Sequence, residues 1–227
     1  MHPDTVIDLW LIRHGEAEHN LDKNRIGGGR HDGQLTEDGG AQAAGLGDYL
    51  ADSGVSFDAI HASAMQRAIQ TAHILKSRLG YPGLILEHAE FNELDQGELE
   101  YMTREEAYTP RRRVEMSHRG MDFRPPGGES QRELQRRAWS KLEELVVHNG
   151  DLCGLGTTHR IAIVAHKVTI NVLLQGILGS ERALCWRQSI HNTAFSRFWF
   201  TADGWWPNCI NSTPHLDLRL DRANRTV

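Results

Sequence analysis

An arginine and a histidine, Arg13 and His14, stand together at the end of an apolar run, Val6 to Ile12. Such a pair can act as a nucleophile beside an anion clamp. An arginine holds phosphoryl oxygens through charge-assisted, often bidentate, hydrogen bonds. Its charge also lowers the pKa of a neighbouring imidazole, keeping it neutral and nucleophilic. On the dipeptide alone, a histidine that merely hydrogen-bonds near a loop is the simpler account. Ser63 with nearby Arg67, and also His166, share the setting, each just past a short apolar run.

Those runs define the elements that must position the chemistry. Val6 to Ile12, Ala59 to Ala62, Leu84 to Leu86 and Ile161 to Ala165 read as short, buried strands. Helical spacing separates them. Thr36 caps a helix with Ala43, Leu46 and Leu50 on one face, and Ala68, Ala72 and Leu75 line a second that ends near Gly80. Ser130 and Glu133 form a capping box ahead of Leu134, Ala138, Leu142 and Leu145. A further helix begins with Val168, Val172 and Leu173, and Ala194–Phe200 pairs as a strand with Trp205–Asn211. This βαβ rhythm predicts a three-layer α/β/α fold with a mostly parallel central sheet. Such folds place sites at the carboxyl ends of strands, where Arg13, His14, Ser63 and His166 sit. The charged, irregular section from Asn92 to Gly128 reads as a small cap, at about 98–126, over the site of a single domain spanning 1–227.

Composition narrows the function classes. With 39% hydrophobic and 24% charged residues the chain fits a soluble globular protein and not a disordered one. A net charge of -5 offers no overall basic excess for nucleic acid or an anionic membrane. No apolar stretch approaches membrane-spanning length. The start, Met1 to Asp4, lacks a basic segment, and the apolar run after it is broken by Asp8, so no secretory signal is expected. Cys153, Cys185 and Cys209 are widely spaced and odd in number, which indicates neither a disulfide framework nor a structural zinc site. Reducing cytoplasm is the expected compartment. Trp205-Trp206 reads equally as a homodimer edge or as part of a core-facing strand.

The longer pattern changes the weighing of the Arg-His pair. Leu11-Ile12-Arg13-His14-Gly15-Glu16-Ala17-Glu18-His19-Asn20 resembles the signature of the histidine phosphatase superfamily, in its phosphoglycerate mutase-like branch. Ser63-Ala64-Met65-Gln66-Arg67-Ala68-Ile69-Gln70-Thr71-Ala72 resembles that family's second arginine motif. Leu35-Thr36-Glu37-Asp38-Gly39, Asn92-Glu93-Leu94-Asp95-Gln96-Gly97, Pro126-Gly127-Gly128-Glu129-Ser130 and Val164-Ala165-His166 follow in the family's order. The resemblance implies that His14 attacks phosphorus and becomes phosphohistidine, while Arg13, Arg67 and His166 hold the phosphoryl oxygens. It implies that Asn20 and backbone amides near Gly27 donate further bonds, and that Glu93 is the acid on the leaving oxygen and then the base for water. Gly15 fits close packing behind the nucleophile. Glu16 and Glu18 read as structural or solvated, and His19 as a rim contact or an ordinary loop histidine. His31, His61, His73, His88, His118, His148, His159 and His191 show no ligand spacing and read as surface or packing residues. The arginines and histidines neutralise the phosphate, so no metal and no cofactor are expected.

Two positions depart from the family pattern: Lys167-Val168 follows His166 where glycines are common, and Tyr101 follows Glu100 where a glycine is common. Lys167 becomes a candidate substrate contact. The resemblance admits two activities: hydrolysis of a small phosphorylated sugar or sugar acid, or phosphoglycerate mutase-type transfer. Pro126-Gly127-Gly128-Glu129-Ser130, and Asn24-Arg25-Ile26-Gly27-Gly28, favour the phosphatase. A catalytically silent phospho-ligand-binding protein is the third reading, opposed by the intact set of candidate groups. Arg111, Arg112, Arg113, Arg119 and Arg124 either read a second anionic group or form a solvated basic face.

Overall fold

The computed structural model describes residues 5–149, 156–180 and 188–216. Cys153, Cys185, the first four residues and the stretch from Asp221 to Val227 lie outside them. Strands β1 (Val6–Arg13), β2 (Ala59–Ser63), β3 (Ile85–His88), β4 (Thr158–Ala165), β5 (Phe195–Thr201) and β6 (Gly204–Ser212) form one sheet in the order β3-β2-β4-β1-β5-β6. The first four strands of that order pair in parallel, and β5 and β6 add antiparallel.

Alternation along β1 divides the core into two layers, because successive side chains of a strand point to opposite faces. Ile7, Leu9 and Leu11 join Ile161, Ile163, Leu142 and Leu173 in one cluster. Trp10 and Ile12 join Ala162, Val164, Leu46, Leu50 and Leu75 in the other. The first cluster is covered by α6 (Gln131–Leu142) and α7 (Lys167–Leu178), and the second by α2 (Glu37–Asp52) and α3 (Gln66–Leu79). A short α1 (Glu18–Leu21) follows β1. Thr36 and Ser130 cap α2 and α6 as the sequence predicts, Ser130 within a capping box with Glu133. Leu145 falls beyond α6, in a π-helical turn over Glu143–Val147.

The expected irregular cap is more helical than the sequence suggests. It contains α4 (Arg104–Ala107) and α5 (Pro110–Arg119). Thr109 caps α5 and Pro110 occupies its first turn, where a missing N–H is harmless. No residue of α5 is buried, so no apolar stripe marks this helix in the sequence. The third strand begins one residue later than Leu84, which is exposed. Of the two adjacent tryptophans, Trp205 packs on the core beside Phe200, ring centroids 4.7 Å apart, while Trp206 is exposed on the edge strand. No helix of the described residues is long and apolar enough to cross a membrane.

Candidate active site

Parallel register assembles the site. Arg13 at the end of β1 aligns with Ala165 at the end of β4, and Ala62 of β2 aligns with Val164. His14, Ser63 and His166 therefore emerge at one level of the sheet, and the rings of His14 and His166 have centroids 5.0 Å apart.

The backbone at His14 is tied from several sides. Its N–H donates to Ala165 O at 3.0 Å, and its carbonyl accepts from Asn192 Nδ2 at 3.0 Å and from Thr193 N at 3.3 Å. The next N–H, of Gly15, donates to Thr71 Oγ1 of α3 at 3.1 Å. A Cβ on Gly15 would lie 2.3 Å from Gly39 O, so the packing of α2 behind the nucleophile position requires glycine there. The ring has a defined tautomer. Nδ1 lies 2.6 Å from Gly15 O, and a carbonyl only accepts, so Nδ1 carries the proton and Nε2 presents its lone pair. Burial, then the charges of Arg67 and Arg13, hold the His14 pKa well below 6.5.

Arg67, fully buried at the start of α3, faces that lone pair. Its Nε–H is shared between His14 Nε2 at 3.3 Å and His166 Nδ1 at 3.2 Å, and Nη1 donates to His31 O at 2.5 Å. Because His166 Nδ1 accepts, Nε2 is the protonated nitrogen, and it donates to Ser63 Oγ at 2.8 Å. Ser63 in turn donates to Asn92 Oδ1 at 2.8 Å. Burial and the neighbouring Arg67 and His14 hold the His166 pKa well below 6.5 as well. Arg13 bonds Ile190 O through Nη1 at 2.6 Å, while its Nε has no partner among the described residues. Desolvation lowers the Arg13 pKa to about 10, leaving it cationic at neutral pH. Two guanidinium groups and a buried donor without a partner make this a fitting seat for an anion.

Glu93 closes the other side. Its carboxylate accepts from Leu94 N at 2.9 Å, from Val168 N at 3.1 Å and from Thr169 N and Oγ1 at 3.3 Å. It thus caps the first turn of α7, the helix that begins immediately after His166. Lys167 is the first residue of that helix and lines a cavity of about 1120 Å³ under the cap. Gly27 lines the same cavity, its carbonyl accepting from Gln96 Nε2 at 3.2 Å. Asn20 makes local bonds: Oδ1 accepts from Ala17 N at 3.0 Å and Nδ2 reaches His19 Nε2 at 3.0 Å. His19 is itself a rim group, its ring centroid 5.9 Å from that of His14. Burial and the charges of Arg67, His31 and Arg13 lower its pKa to about 3.

His31, read as a surface or packing residue, packs in the line of rings, 5.5 Å from His19 and 5.2 Å from Tyr101, and its carbonyl accepts from Arg67. Tyr101 holds φ 70, the left-handed region where a side chain costs about 1–2 kcal/mol. Its N–H to Ile26 O and its carbonyl from Arg25 Nη1 keep it there. Of the cap arginines, Arg113 and Arg119 line the cavity, whereas Arg111 does not and Arg112 and Arg124 bond the backbone at Ala107 and Gly128. Ser63 was legible at its strand end and Asn92 only as a motif neighbour, while Asn192 and Thr193 carried no signal. Among the described residues no group of three or more His, Cys, Asp or Glu side chains is placed to hold a metal.

A buried neutral imidazole with one free nitrogen, facing a guanidinium, can attack an electrophile that the guanidinium holds. Known proteins with similar chains identify the family. The model of the histidine phosphatase superfamily (branch 1) matches residues 9–213. A 2,3-bisphosphoglycerate-dependent phosphoglycerate mutase of Bartonella tribocorum is 34% identical over 76% of this chain and 84% of its own. The mutase of the same description from Brucella ovis is 38% identical over 58% of this chain, and the match spans only 64% of that protein. A mutant phosphoserine phosphatase from Entamoeba histolytica, solved in complex with phosphoserine, superposes with a TM-score of 0.76. It is 26% identical, covering 92% of this chain and 99% of that one.

Proposed function

The chain belongs to the histidine phosphatase superfamily, branch 1, and from that premise we propose that it hydrolyses small phosphomonoesters through a phosphohistidine on His14. The observation that carries the reading is the tautomer of His14, with Nδ1–H tied to Gly15 O and the Nε2 lone pair beside Arg67. Nε2 attacks phosphorus, and the bond from phosphorus to the ester oxygen breaks. Arg67 and Arg13 gather the phosphoryl oxygens, exchanging their present partners for the incoming charge, and His166, taking a solvent proton on Nδ1 as the anion enters, donates to them while its Nε2–H stays on Ser63. Glu93, having taken up a proton from solvent before this step, delivers it to the departing alkoxide, so an alcohol leaves. The resulting carboxylate then takes a proton from water, the hydroxide attacks phosphorus, and the P–N bond breaks to return neutral His14 and release phosphate. No metal enters this scheme.

The mutase names of the two relatives support a second reading, in which the phosphoryl group returns to a sugar acid and not to water. The discriminating experiment measures phosphate release from a panel of phosphomonoesters with chelator present, alongside interconversion of 2- and 3-phosphoglycerate primed with 2,3-bisphosphoglycerate. Release that survives chelation and vanishes in His14→Ala is expected. Interconversion that outpaces release would replace the phosphatase reading with the mutase one, and neither activity would overturn both.

A further inference from the structure

The cavity beside Glu93 is larger than the phosphoryl seat needs. Its wall includes Val168, whose N–H donates to Glu93 Oε2, so it lies on the side where the proposed mechanism sends the leaving alcohol. Small-molecule sites commonly occupy about 300–1,000 Å³, and at about 1120 Å³ this one would leave a three-carbon acid mostly surrounded by water. Leu94, Met116, Met121, Phe123 and Val168 supply apolar wall.

Gln131, the first residue of α6, also lines this cavity. It is only 4% exposed, yet neither its carboxamide nitrogen nor its oxygen has a hydrogen-bond partner among the described residues. It has no part in capping its helix, because Ser130 and Glu133 bond each other there, and Arg132 beside it holds Asp122 of the cap. A buried amide without partners is destabilising, and native proteins rarely keep one without a use. The arginines on the wall have partners of their own: Arg104 donates to Lys23 O, Arg113 donates to Tyr108 O, and Arg119 pairs with Glu115, while the fourth cation, Lys167, stands at the start of α7.

We propose that Gln131 is a specificity residue that reads a hydroxyl on the alcohol portion of the substrate, which is then a phosphomonoester of a polyhydroxylated alcohol longer than three carbons. A carboxamide offers a donor and an acceptor together. A hydroxyl satisfies both, whereas a carboxylate would leave the amide oxygen unpaired. The apolar wall packs on the carbon skeleton while Gln131 pairs with the hydroxyl. The inference rests on the phosphatase reading above and names its substrate class.

The test compares ethyl phosphate, hexyl phosphate and sorbitol 6-phosphate, which share a primary alkoxide leaving group, in wild type and Gln131→Leu. Leucine keeps the volume and removes the amide. The kcat/KM ratio of sorbitol 6-phosphate to ethyl phosphate should fall about tenfold, the worth of one hydrogen bond to a buried amide. The ratio of hexyl to ethyl phosphate should rise, and Tm should not fall, since an unpaired polar group has been removed. An equal loss on all three esters, or unchanged ratios, overturns the role of Gln131 and leaves the phosphatase reading standing. Absence of turnover of every ester by wild type removes both.

Discussion

Replacing Ser63 by alanine tests whether His166 acts through a ring held in place by its Nε2–H bond. The hydroxyl is fully buried and sits at a junction. It accepts from His166 Nε2 at 2.8 Å and Met65 N at 3.2 Å, and donates to Asn92 Oδ1 at 2.8 Å. Alanine removes all of these and leaves two donors and an acceptor without partners. At about 1 kcal/mol net for each bond, the loss is about 2–3 kcal/mol. For a chain of this size each kcal/mol moves Tm by about 2–4 °C, so a fall of about 4–12 °C is expected. The catalytic effect comes through the ring of His166, which loses the acceptor that holds its proton on Nε2. Its Nδ1 edge, toward Arg67 and His14, is then no longer aimed at the phosphoryl seat. A misalignment worth about 1.4–2.8 kcal/mol lowers the rate about tenfold to a hundredfold. The assay is kcat/KM for an alkyl phosphate measured well below the variant's Tm, paired with inorganic phosphate inhibition. Expected is a fall in kcat/KM together with weaker inhibition. A lowered Tm with unchanged kcat/KM and unchanged inhibition would refute the reasoning and reduce Ser63 to a packing role.

Stability should fall in mild acid. The folded-state pKa values of His14 and His166 are well below 6.5, that of His19 is about 3, and those of His61 and His215 are about 4, burial being the largest cause in every case. Below about pH 6.5 the unfolded chain therefore binds protons that the fold does not, and each such group contributes up to about 1.4 kcal/mol per pH unit to the loss until its folded pKa is reached. Tm measured against pH should be flat above about pH 7 and drop steeply from pH 6 to 5; a flat profile to pH 5 would contradict the buried neutral histidines. Gly15→Ala should prevent folding or cost several kcal/mol, because the new Cβ meets the Gly39 carbonyl at 2.3 Å and backbone cannot move aside cheaply. Soluble Gly15→Ala protein with wild-type Tm would show that α2 does not press on the nucleophile's strand.

Much of the site was legible because it is written at strand ends. Apolar runs with β-rich composition announce β1, β2 and β4, and parallel alignment of their carboxyl ends then brings His14, Ser63 and His166 together. The cap helices were not legible, since α5 buries no residue and so has no apolar stripe for periodicity to detect. The place of His31 in the ring line was not legible, because a lone loop histidine carries no local mark of the stacking and backbone contact that tertiary packing supplies.

The sequence by itself determined which groups are available and roughly where along the chain they surface: Arg13, His14, Arg67, Glu93 and His166 stand at or near the ends of recognisable elements. It also determined the two-layer core, because alternation in β1 and β4 is a property of neighbouring residues. Only the tertiary structure decided how those groups are wired. The carboxylate of Glu93 caps a helix 75 residues away, Arg67 divides one N–H between imidazoles from two other strand ends, and Gln131 faces a cavity with its amide unpaired among the described residues. The physical reason is range. Secondary structure follows from spacing within a few residues, whereas hydrogen bonds between distant side chains depend on sheet register and helix placement, which no local pattern records.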